Sequence, residues 1–143
     1  MSRIGYDNKK HPYQLQLRMC EGLDYQGLEN KSSLTLNLQK GIIIKYHTDK
    51  GMINTLIREY HASDEELQEL YSFLTMDSIK EFESMSSKEK EKYATGYYDC
   101  ANLKYFLIGP DGIISDGTRH GIYSNDPIEK TIRWINKIIS ANN

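Results

Sequence analysis

Apolar and polar residues begin to alternate at Gln14. In "YQLQLRM", Leu15, Leu17 and Met19 fall on one side and Gln14, Gln16 and Arg18 on the other, the period of a half-buried strand. Residues 1–13 are polar and without period, a terminal arm that becomes ordered only by docking, and residues 14–143 read as one domain. "CEGLDYQGLENKSS" reads as a loop. In "LTLNLQKGIIIKYHT", Leu34, Leu36 and Leu38 alternate before Gly41 and a β-branched run, which predicts two strands bent at "QKG" or one long strand with a glycine bulge. "TDKG" at 48–51 is a turn signal and "MINTLIREY" at 52–60 resumes extended chain, completing a hairpin.

The period changes at Ser63. "SDEE" is a capping box, with the Ser63 hydroxyl placed to accept from the Glu66 N–H, and Leu67, Leu70, Tyr71 and Leu74 follow as one helical stripe. Ile79, Phe82 and Met85 mark a second short amphipathic segment. Ser86 and Glu89 repeat the capping spacing ahead of a Lys/Glu run with almost no apolar face, the stretch expected to be least stable. Extended character returns with Leu103, Tyr105 and Leu107 opposite Lys104, Phe106 and Ile108, and "GIISDGTRHGIY" is the expected antiparallel partner. Asp126 then caps a final helix with Pro127 at its first position and an Ile128, Ile132, Ile135, Ile139 stripe flanked by Trp134 and Ile138.

Strands, helices, two strands and a helix predict an α+β fold: an antiparallel sheet of about five or six strands, with a middle helical segment and a C-terminal helix on one face. The layout of hairpin followed by helix occurs twice, without residue-level identity.

Charge changes the picture mainly by exclusion. Lys and Arg number 18 against 20 Asp and Glu, a net charge of -2, so the overall positive field of a non-specific nucleic-acid binder is lacking and no nucleic-acid partner is expected. No apolar run approaches the roughly 18 residues of a membrane span, and the N-terminus has no secretory apolar core, so no membrane association and a cytoplasmic location are expected. Cys20 and Cys100 lack any C-x-x-C spacing and the four histidines lie singly, which favours neither a disulfide framework nor a metal site; no cofactor is implied.

The densest candidate chemistry is "IGPDGIISDGTRHG", residues 108–121. A calcium loop starting at Asp111 would put Ile113, Asp116 and Ile122 at positions that need a ligand, a glycine and a glutamate. A phosphate loop would lose an N–H to Pro110 and lacks the G-K-[ST] signature. "PDG" is a turn signal, with Pro110 presetting φ and Gly112 accepting a positive one. "SDGTRHG" leaves two readings: its Asp-Gly is a bulge in the return strand, or Asp116, Arg119 and His120 face a pocket.

Cys100 beside Asp99, with histidines elsewhere, permits a nucleophilic centre on paper, although a free cysteine at a strand start is ordinarily a small buried residue. No catalytic residue is assigned. Of the aromatic residues, Tyr105 and Trp134 are assigned to the core, while Tyr97 and Tyr98 join Asp116, Arg119 and His120 as candidate ligand-binding residues.

With the hairpin before "SDEELQEL", then "LKYFLIGPDG" and a last helix from "DPIEKTIRWI", the layout over residues 34–139 resembles a group of small uncharacterised bacterial domains. More loosely, it resembles the emfourin-type inhibitors of thermolysin-like metalloproteases. That resemblance implies a non-catalytic domain blocking a protease through a terminal segment or exposed loop, for which the arm "MSRIGYDNKK" is the candidate. The chain departs from it by an added N-terminal strand, a longer helical insert from 76 to 93 and the lack of a matching inhibitory sequence, so no site residue is carried over.

The expectation is a bacterial, non-enzymatic binding domain, an inhibitor among the forms it could take, whose partner is another protein or a second copy of itself. The alternative is a small enzyme or ligand-binding protein using the 109–121 hairpin with Cys100 or His120.

Overall fold

In the computed structural model, which describes residues 5–23, 29–48, 55–97 and 103–142, the elements run β1 (Gln14–Leu23), β2 (Glu29–Asn37), β3 (Ile42–Thr48), β4 (Thr55–His61), α1 (Asp64–Phe73), α2 (Met76–Ser84), α3 (Ser87–Glu91), β5 (Ala94–Tyr97), β6 (Leu103–Gly109), β7 (Gly112–Arg119), β8 (Gly121–Tyr123) and α4 (Pro127–Ala141). Six strands form an antiparallel sheet in the order β4-β3-β2-β1-β6-β7, while β5 and β8 pair separately. The predicted α+β class and one-sided helical cover are therefore present.

The register explains why the sheet has two different faces. One row of paired residues, Tyr60, Ile43, Leu36, Leu15, Leu107 and Ser115, crosses all six strands. The next row along on the opposite face is Glu59, Ile44, Thr35, Gln16, Phe106 and Asp116. Because side chains alternate along a strand, a slip of one residue would exchange these rows, so burial of the leucine row fixes the pairing. Leu15, Leu36 and Ile43 have at most 1% of their surface exposed.

The helices cover the leucine face. Leu67, Leu70, Tyr71 and Leu74 from α1 and its C-terminal end, Ile79 from α2, and Ile128, Ile132, Trp134, Ile135 and Ile138 from α4 join the strand residues in one core. Each such side chain, fully buried, contributes roughly 1.5–3 kcal/mol. Polar anchors fix the angles of approach: Trp134 Nε1 donates to the Glu66 carbonyl at 2.8 Å, tying α4 to α1, and Tyr71 Oη donates to the Leu38 carbonyl at 2.6 Å, tying α1 to the sheet. The predicted capping box is present, with Glu66 N–H on Ser63 Oγ and Ser63 N–H on Glu66 Oε1. Thr75 and Ser78 form a second at the start of α2. The α4 stripe buries Ile138 more fully than Ile139, which packs partly buried against the core, and it takes in Thr131, whose hydroxyl donates to the Pro127 carbonyl.

Several local readings change. The 20–33 segment read as loop is strand over Cys20–Leu23 and Glu29–Ser33, because β1 and β2 run past their apolar centres. Of the two readings of "QKG", the bend between two strands is the one present: Gly41 has φ of +71°, and a Cβ there would stand 2.8 Å from Leu67 Cδ1. The "TDKG" turn lies outside the described residues beyond Thr48. Residues 5–13 are docked: Tyr13 bridges Ile108 and Leu38 through its backbone, and the Lys10 carbonyl accepts from the Met76 N–H at 2.9 Å. His11, 5% exposed, packs against the rings of Tyr6 and Tyr71. Its Nε2–H donates to the Tyr71 carbonyl, leaving Nδ1 to accept from the Asp7 N–H.

Candidate functional site

The glycine-rich stretch resolves into structural duties. Gly112, at φ of +123°, closes the β6–β7 turn. The strand does contain a bulge, at Ile114 instead of Asp116–Gly117: Leu107 pairs with Ser115 and Ile108 with Ile113, leaving Ile114 without an opposite number. Gly117 serves a different need, since a Cβ there would lie 2.6–2.7 Å from the Tyr105 ring that passes over it.

Tyr105 reaches across Gly117 to a cluster centred on Arg119, only 4% exposed. Arg119 Nε donates to Asp126 Oδ2 at 2.7 Å and Nη1 to Glu83 Oε1 at 2.5 Å, while Tyr105 Oη donates to the same Glu83 oxygen at 2.6 Å. The guanidinium lies 4.8 Å from the Phe82 ring centre and 5.0 Å from that of Tyr105. Asp126, 1% exposed, also accepts from the Ile128 N–H as the cap of α4. One arginine thus joins the end of β7, α2 and the start of α4.

The electrostatics follow from that geometry. Burial works against the Arg119 charge, but hydrogen bonds and charge from Asp126 and then Glu83 outweigh it and push its pKa above the ordinary value. Burial pushes the Glu83 carboxyl up, yet hydrogen bonds from Tyr105 and Arg119, with the Arg119 and Lys90 charges, hold it below its usual range. The Tyr105 phenol is raised by burial and by its bond to Glu83. With Nη2 also donating to Asp126 Oδ1 at 3.3 Å, three of the five guanidinium N–H donors go to carboxylates of the chain itself, and the charge is neutralised in place.

Among the described residues, those singled out in the sequence do not converge. Asp116 pairs with Phe106 on the face away from the helices, Arg119 with Leu103 on the covered face, and His120 is exposed just beyond β7. Tyr97 is 72% exposed on β5; Tyr98 and Cys100 lie outside the described residues. Among the described residues no three His, Cys, Asp or Glu side chains gather as a metal site. Nor is any helix long and apolar enough to cross a membrane.

The open face of the sheet offers the other concentration of chemistry. Beside the Glu59–Asp116 row runs a second row, Tyr46, Ser33, Arg18, Lys104 and Thr118. Ile42, Ile44, Tyr46, Phe106 and Ile108 on this face are half-buried, and among the described residues no helical layer lies over them. Arg18 is exposed and lies 5.1 Å from the Phe106 ring centre. Among the described residues no carboxylate pairs with it, and its direct cross-strand neighbour is a second cation, Lys104.

Small residues in β2 between long ones in β1 and β3 make a trough. Ser33 and Thr35 lie low, Gln16 and Arg18 rise on one side and Tyr46 on the other, enclosing about 230 Å³ together with Leu34. Its lining supplies a guanidinium, an amide and three hydroxyls, and no anionic group.

These residues are inconspicuous in the sequence, where Gln14, Gln16 and Arg18 have the pattern of the wet side of an ordinary strand. The usable signal was "GIIIKY": Ile42 and Ile44 alternate with the buried Ile43, so β3 is apolar on both faces. No protein-family model matches the chain, and no curated protein or solved structure matches it.

Proposed function

We propose that this chain is a non-enzymatic interaction domain that presents the open face of its six-stranded sheet to another protein. The observation that carries this reading is that Ile44, Tyr46 and Phe106 share with Gln16, Arg18 and Lys104 a sheet face that the helices leave uncovered. Half-buried aromatic and aliphatic residues beside arginine have the composition of a binding surface. The enzyme alternative draws less support: Asp116 and Arg119 point to opposite faces, and Arg119 is consumed by Asp126 and Glu83.

A partner of different sequence suits this face better than a second copy. Face-to-face association about a two-fold axis brings each surface against itself, and the Arg18–Lys104 pair would oppose its own copy unless the two were offset.

Site-specific photo-crosslinking in host cells tests the reading. A photoreactive phenylalanine analogue at Phe106 is expected to give a discrete protein adduct that purified wild-type chain competes away and the Phe106→Glu chain does not. The same analogue at Tyr97 or Asp111 is expected to give none. Adducts from Tyr97 or Asp111 with a silent Phe106 position would overturn the assignment to this face. So would a small-molecule thermal shift abolished by His120→Ala, because it would place function at the 109–121 hairpin.

A further inference from the structure

We infer that the trough over β2 receives an acidic segment of that partner, with an aspartate or glutamate carboxylate seated on Arg18; this rests on the open face being the interaction surface. Three features converge. The trough is lined by Gln16, Arg18, Ser33, Leu34, Thr35 and Tyr46, so its side-chain donors are plentiful and its only charge is positive. Arg18 spends its guanidinium face on Phe106, which leaves its N–H groups to make bidentate bonds. Lys104 stands directly opposite Arg18 across the β1–β6 ladder.

The last feature separates a binding site from an ordinary solvated strand. Like charges facing each other across an antiparallel pair destabilise it, and a partner carboxylate shared between them reverses the sign of that interaction. The contrast with Arg119 is chemical: there two carboxylates of the chain itself, Asp126 and Glu83, do what the partner's carboxylate does at Arg18. The floor suits an extended segment, because Ser33 and Thr35 are two residues apart on one strand, the spacing at which a strand laid alongside repeats its own side chains.

Nucleic acid is the competing anion. The open face bears Asp116 opposite Phe106 and Glu59 opposite Ile44, and the chain's net charge is -2, so a continuous phosphate track is lacking. A carboxylate needs one cationic seat with hydrogen-bond donors around it, which the trough has.

The test is a titration of the isotope-labelled full chain with a capped oligoglutamate peptide, followed by amide chemical shifts, with oligolysine, inorganic phosphate and single-stranded oligodeoxythymidylate in parallel. Saturable shifts are expected from oligoglutamate at Gln16, Arg18, Ser33, Thr35 and Tyr46. Arg18→Ala is expected to weaken them by about tenfold or more, equivalent to about 1.4 kcal/mol. Lys104→Glu is expected to abolish them while raising the unfolding midpoint, which separates lost binding from lost folding. Four results would overturn the inference: no shifts in the trough, shifts spread over Lys88, Lys90 and Lys92, binding that survives both substitutions, or phosphate or oligodeoxythymidylate binding the trough as tightly. None of these alters the expected crosslink from Phe106, so the acidic-segment inference can fail while the interaction surface stands.

Discussion

Two arginines on opposite faces of one sheet show how the same side chain is either built into the fold or left exposed. Arg119 lies between Phe82 and Tyr105 with Asp126 and Glu83 on its nitrogens. Arg18 lies over a single ring, Phe106, exposed, with Lys104 where a carboxylate would complete it. Both meet an aromatic ring; what separates them is the supply of acids. On the covered side the chain brings its own anions from α2 and the start of α4. On the open side Arg18 faces a second cation, and the two acids of that face, Asp116 and Glu59, make no ion pair with it. A charge satisfied internally is part of the architecture, and a charge whose cross-strand neighbour is another cation is not.

The contrast can be broken most forcefully at Asp126. Asp126→Ala strips Arg119 of its bidentate partner and α4 of its cap, and is expected to cost about 3–5 kcal/mol in urea unfolding, with the cap accounting for about 1 kcal/mol. Asp126→Asn, which keeps a capping oxygen, should recover that last part. Gly117→Ala comes next: its Cβ meets the Tyr105 ring that roofs the cluster, so the unfolding free energy should fall by about 1–3 kcal/mol, while an alanine at the open-face position Thr118 should be tolerated. Lys104→Glu acts in the opposite direction on the other face, giving Arg18 an acid and stabilising the fold by about 0.2–1 kcal/mol in the same assay.

Acid gives a finer comparison. The Glu83 carboxyl is held below its ordinary value in the folded chain, so its contribution is present above pH 4.5 and is lost as pH falls from there through the lowered folded value. Stability profiles of the wild-type and Glu83→Gln chains are expected to converge in that window and to separate above it. Parallel curves throughout would mean that the Arg119 cluster does not depend on the Glu83 charge.

Much of the fold was legible because it is written in local signals. The Ser63–Glu66 box, Pro127 after Asp126 and the leucine alternation of β1 and β2 each fix an element without reference to the rest. Strand order was not legible, since nothing in β1 announces that it pairs with both β2 and the distant β6. The site was hidden for the same reason. Arg18 and Lys104 lie 86 positions apart and become neighbours only through the β1–β6 register. The 108–121 stretch drew attention through its density of glycines and charged residues, yet Gly117 exists to clear Tyr105, and Arg119 turns inward to acids at 83 and 126. Local density of interesting residues marked a packing problem, whereas the exposed chemistry was dispersed among strands.

The most direct check is the free energy of urea unfolding for Arg119→Ala set against Arg18→Ala, each relative to the wild-type chain in one buffer. Loss of about 3–5 kcal/mol is expected at Arg119, where Asp126 would be left buried without its partner. At Arg18 the change is expected to stay within about 0.5 kcal/mol. Equal losses at the two positions, or a silent Arg119, would contradict the division of the sheet into a face whose arginine holds the fold and a face whose arginine does not.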